Sequence, residues 1–94
     1  MKADAVRIAK QYVRSVEPPL NLNGYQEPVA IYVKEENVWI VWFSDKRPIP
    51  PPDSDFMIKI DALSGNSMGF LGGANKAKYY KYFSAASEMS PNRP

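Results

Sequence analysis

The side chains able to do chemistry in this chain include no histidine and no cysteine. That removes thiolate nucleophiles, Ser-His and Cys-His pairs, the commonest general base and the usual zinc and iron ligands. Carboxylates, lysines and aromatic rings remain. Asp53-Ser54-Asp55 alternates its acids as calcium ligands do, but lacks the glycine and terminal glutamate of a full calcium loop. Asp53, Asp55 or Asp61 set against another acid is the form that glycoside acid–base chemistry takes. Scattered over turns, these acids read more economically as solvated charges. Gly72-Gly73 is not a phosphate loop, because no lysine-serine or lysine-threonine pair follows it at the required spacing. No cofactor and no metal site are expected, and the chain reads as a non-enzyme.

Two aromatic groups are better leads. Lys76, Lys78, Tyr79, Lys81 and Tyr82 mix phosphate-neutralising charge with rings that stack on bases, as in a single-strand nucleic-acid binder. The competing reading is a last strand or helix that packs its tyrosines over a sheet. That reading is preferred, because no other basic stripe accompanies the segment. The second group is Tyr32, Trp39, Trp42 and Phe43. Large aromatic rings dominate binding hot spots. Here they sit on a stretch, Val38-Trp39-Ile40-Val41-Trp42-Phe43, that is apolar on both faces.

The elements that position these residues follow from periodicity. Ala5, Ile8, Ala9, Tyr12, Val13 and Val16 recur at helical spacing, with Arg7, Lys10, Gln11 and Arg14 opposite, so a helix is predicted over residues 4–16. Asp4 suits its start and Arg14 its end, and Pro18-Pro19 stops it. Asn23-Gly24 marks a turn within a loop. Strands are predicted over residues 29–34, 38–44 and 56–62, with a short fourth over 67–71. A two-residue turn after Lys34 puts Val38, Ile40 and Trp42 on the face of Val29, Ile31 and Val33; a three-residue turn swaps the sets. Residues 45–55, with Pro48, Pro50, Pro51 and Pro52, form a stiff exposed connection. Residues 76–89 read as strand or helix, and 90–94 as a frayed tail.

The bulk numbers fit one domain over residues 1–94. The chain is 94 residues long, 45% hydrophobic and 23% charged, with a formal net charge of +2. This is an ordinary globular balance with room for one small core. No apolar run approaches membrane-spanning length. Missing disulfides tilt towards a cytoplasmic location, or a periplasmic one if a leader was removed.

The opening helix Ala5-Val6-Arg7-Ile8-Ala9-Lys10-Gln11-Tyr12, the Val38-Trp39-Ile40-Val41 strand, and a strand closing on Ile60-Asp61-Ala62-Leu63-Ser64-Gly65-Asn66 together resemble small cystatin-like α+β domains. Two groups share that pattern. One is the bacterial immunity proteins of the nuclear-transport-factor-2-like fold, which neutralise toxins. The other is the PepSY domains, thought to restrain peptidases. The resemblance covers residues 4–71. The proline-rich 45–55 insert and the tyrosine-rich end depart from both groups. It implies an α+β fold, one N-terminal helix on a curved antiparallel sheet of three to four strands. The helix is expected on the Val29-Ile31-Val33-Ile40-Trp42-Ile58-Ile60 face. The opposite face is left open to a cognate toxin or enzyme, or to a second copy. Tyr32, Trp39 and Phe43 are the expected anchors, and Lys34, Lys46, Arg47 and Lys59 the polar rim.

Overall fold

The structure, a computed structural model, describes residues 1–88, so the expected 90–94 tail lies outside the described residues. Helix α1 spans Lys2–Ser15 and buries Ala5, Ala9 and Val13. Small residues at this spacing let the helix axis approach the sheet closely. Asp4 lies in its first turn and Arg14 in its last, each favourable to the helix dipole. Val16 leaves the helix in extended conformation, its N–H donating to Tyr12 O at 3.2 Å. A short 3-10 turn, Leu22–Gly24, follows, and the Asn21 side chain accepts the Asn23 N–H at 2.9 Å.

Strands β1 (Val29–Val33), β2 (Val38–Phe43), β3 (Phe56–Asp61) and β4 (Ser67–Leu71) form an antiparallel sheet in the order β1-β2-β3-β4. The expected α+β architecture is present: an N-terminal helix on a four-stranded antiparallel sheet. The first hairpin closes through residues 34–37, with Asn37 at φ 54, which pairs Val33 with Val38. Val38, Ile40 and Trp42 therefore share a face with Val29, Ile31 and Val33, as the two-residue turn implied.

The next register corrects the expected helix face. Trp39 pairs with Ile60 and Val41 with Ile58. Partners in an antiparallel ladder point the same way, so Ile58 and Ile60 lie with Trp39, Val41 and Phe43. That is the face α1 covers, together with Ala30 and Phe56. Ile40 and Trp42 lie on the other side. A second correction concerns the face expected to be open, that of Tyr32, Trp39 and Phe43: it is the one α1 covers, and the Ile40-Trp42 side is covered as well. Helices α2 (Gly73–Ala77) and α3 (Tyr80–Glu88) fold back over the latter, and Tyr79 and Phe83 pack against Val33, Val38, Ile40 and Met57. The strand-or-helix ambiguity of residues 76–89 thus ends in two helices joined by a turn at 78–79 across the described part. The face expected to receive a second copy is occupied by α1, and the opposite face by the C-terminal helices.

Candidate functional site

Trp39 is the second residue of β2, so its side chain points to the α1 face near the first hairpin. Its cross-strand partner is Tyr32, with ring centroids 5.4 Å apart and planes tilted by 50°. Such offset aromatic pairs are stabilising beyond their buried area. The Tyr32 hydroxyl donates to Asn37 Oδ1 at 2.6 Å, which fixes the ring while it stays 43% exposed. Trp39 is half-buried against the α1 core.

Beside Trp39 a groove of about 380 Å³ runs between the first turns of α1 and the β3–β4 turn, lined by Asp4, Ile8, Trp39, Ile60, Leu63 and Ser64 among others. The β3–β4 turn is held by its own side chains. The Asp61 carboxylate accepts the Ser64 hydroxyl at 2.6 Å and the Ser64 N–H at 3.1 Å; Ser64 Oγ accepts the Asn66 N–H at 3.1 Å. Those Ser64 hydrogen bonds hold the Asp61 carboxyl below its ordinary pKa. Gly65 takes φ 78, a conformation glycine adopts without strain, and its N–H donates to Asp61 O at 2.8 Å. This rigid frame presents Leu63 to solvent at 86% exposure. An apolar side chain at the lip of a groove that already holds a half-exposed tryptophan extends one apolar surface.

Of the seven residues expected at a docking surface, the structure brings Tyr32 and Trp39 together, with Lys34 exposed in the adjoining hairpin. It separates the others. Phe43 is fully buried and stacks on Phe56 with centroids 4.6 Å apart, so it is a core residue and no anchor. Lys46 and Arg47 follow the opposite end of β2. Arg47 is engaged with Asp45, whose carboxyl its side chain and backbone N–H lower to about 2. Lys59 lies on the other sheet face, 3.2 Å from Glu36 Oε1. Sequence reasoning missed Leu63 as a site residue. Its one signal was an isolated leucine inside the polar run Asp61-Ala62-Leu63-Ser64-Gly65-Asn66.

Most of the lysine–tyrosine segment is used within the molecule, while Lys81 stays exposed beside the Tyr82 ring. Lys76 Nζ lies 3.1 Å from Asp55 Oδ1 and 3.2 Å from Asp55 O. The same carboxylate accepts Trp42 Nε1–H at 2.8 Å and the Tyr80 hydroxyl. Burial pushes the Asp55 carboxyl up, but the hydrogen bonds from Tyr80, Trp42 and Lys76 outweigh it and leave the pKa low. Tyr79 is 1% exposed and its hydroxyl donates to Glu36 Oε1 at 2.6 Å, while Lys78 Nζ sits 3.0 Å from Glu36 Oε2. Tyr79, Lys78 and Lys59 lower Glu36 from 4.5 to about 2. An enclosed tyrosine cannot stack on a base, and a lysine buried against a carboxylate cannot neutralise a phosphate.

No family model, no curated protein and no solved structure matches the chain. Asp55 and Asp61 are committed to internal hydrogen bonds, and Asp53 stands in solvent. Among the described residues no group of three acids could hold a metal ion, and no helix is long and apolar enough to cross a membrane.

Proposed function

We propose that this chain is a protein-binding inhibitor of the immunity-protein kind, which neutralises a cognate toxin or enzyme by occluding it. The single observation that carries this reading is the groove beside Trp39, where an exposed leucine and a half-buried tryptophan line one preorganised recess and the exposed Tyr32 packs on that tryptophan. Trp39, Tyr32 and Leu63 are the apolar anchors, and Lys34, Arg7 and Asp4 the charged rim. Anchors held in place before binding lose little conformational entropy on docking, which favours affinity. The nucleic-acid alternative draws less support, since Lys76, Lys78 and Tyr79 already have internal partners.

The test is inhibition. Wild-type chain and a Leu63→Asp variant are used side by side to capture proteins from the native host. The reading requires a protein retained by the wild type and lost with the variant. Its enzymatic or toxic activity must also fall in stoichiometric proportion to added wild-type chain. A retained protein whose activity is untouched by saturating chain overturns inhibition.

A further inference from the structure

We propose that a second recess, at the C-terminal half of α1, is a carboxylate-binding site for an acidic polypeptide segment. This cleft has a volume of about 390 Å³ and lies between α1, the 22–28 segment and the end of β2. Lys10, Arg14 and Lys46 converge on it, and Glu27 is the one acid in its lining. The cleft's formal charge is thus +2, equal to that of the whole chain. The other charges of the sequence sum to zero. Glu27 Oε1 accepts a hydrogen bond from Lys10 Nζ at 2.8 Å and orients it. Arg14 and Lys46 make no ion pair among the described residues, in contrast to Lys59, Lys76 and Lys78.

The cleft is held open before any ligand arrives. Gln26 N–H donates to Ser44 O at 2.8 Å and Lys46 N–H to Gly24 O at 3.0 Å, fastening the two segments of its wall. Its floor is Phe43 stacked on Phe56, with Tyr25 edge-on to Phe56 at 5.1 Å. Two uncommitted cations on a rigid frame suit a carboxylate, which takes an arginine fork bidentately. A nucleic acid strand suits them less. It needs cations spread along a backbone path and free aromatic faces, whereas these rings are spent on Phe56. The proposal is independent of the Trp39 groove, which lies by the other end of α1.

Titration of the isotopically labelled chain with an end-blocked hexaglutamate peptide, followed by amide chemical shifts, tests it. The expected result is saturable shifts confined to residues 10–14, 22–28 and 46, weakening as salt rises. Arg14→Gln and Lys46→Gln should each lower affinity about tenfold, as loss of a charge-assisted hydrogen bond does. Leu63→Asp should leave the titration unchanged while abolishing the groove's function, so the two sites fail separately. Both tested cations are at the surface, and the variant spectra report directly that the fold is intact. Shifts spread over every lysine, or unchanged affinity in the Arg14→Gln, Lys46→Gln double variant, overturn the site. Tighter binding of an oligothymidylate at the same residues overturns the acidic-polypeptide assignment in favour of nucleic acid.

Discussion

Lys76 Nζ meets Asp55 Oδ1 at 3.1 Å, and the lysine is only 7% exposed. The contact joins α2 to the residue that precedes β3, so it ties the C-terminal cover to the sheet. Breaking it from the two sides should not cost the same. Asp55→Ala leaves a buried ammonium without its carboxylate and strips Trp42 and Tyr80 of their acceptor. The expected loss is about 3 kcal/mol of folding stability. Lys76→Met removes the charge, fills similar volume and leaves Asp55 two donors, so it should cost about 1 kcal/mol. Urea unfolding of both variants checks the asymmetry. Equal losses would mean that the lysine is not buried as described.

Glu36 gives the fold an acid-sensitive joint. Tyr79, Lys78 and Lys59 lower its carboxyl from 4.5 to about 2, so the folded chain prefers the ionised form more strongly than the unfolded chain does. A depressed folded pKa contributes stability that is complete above about 4.5 and drains away as pH falls towards 2. The side chain is 26% exposed, and solvent screening keeps the contribution below that of the full shift. Glu36→Gln should therefore be less stable than wild type at pH 7, and its stability should fall less steeply between pH 4.5 and 2. Denaturant midpoints across that range supply the comparison. Parallel curves would remove Glu36 from the acid response.

How much of this was legible beforehand depended on pattern. Helix α1 announced itself because Ala5, Ala9 and Val13 lie on one stripe, and Pro18-Pro19 closed it. The strands were legible because apolar runs alternate with polar turns. Which face met α1 was not legible. Met57 and Ile58 are both fully buried on opposite sides of β3, so alternation carries no vote there. The face depends on whether the proline-rich connection spans an odd or even number of positions between its last ladder pairs, which composition does not reveal. The C-terminal segment was ambiguous for another reason. Its lysines and tyrosines interleave, and only tertiary partners, Asp55 and Glu36, select helix over strand. Within the site, Tyr32 and Trp39 stood out by size. Leu63 belongs to no period, because one exposed leucine leaves no pattern.

The β3–β4 turn should be sensitive to its backbone more than to its packing. A Cβ added at Gly65 would meet Ile8 Cδ1 at 3.7 Å, an ordinary contact, but φ 78 is unfavourable for any L side chain. Gly65→Ala should cost about 1 kcal/mol through strain alone. Gly24 is the matched control: its φ lies outside the left-handed region and nothing lies within 4 Å of an added Cβ, so its alanine variant should be close to neutral. Thermal unfolding of the pair separates strain from crowding, and equal midpoints would refute the strain account.

Phe43 and Leu63 make opposite demands on the same molecule. Phe43 is fully buried in an aromatic stack with Phe56, so Phe43→Ala empties a large space that the rigid sheet cannot close. The expected cost is about 3–5 kcal/mol, a large share of what a small domain has. Leu63 stands in solvent on a turn that Asp61 and Ser64 hold without it. Leu63→Ala should change folding stability by less than about 0.5 kcal/mol. If the groove docks a partner, the same substitution should weaken that complex by about 1 kcal/mol or more. Measuring both variants for stability and for partner affinity separates a core aromatic from a surface anchor. A Leu63→Ala chain that binds its partner as tightly as wild type would move the docking surface away from this groove, whatever its stability.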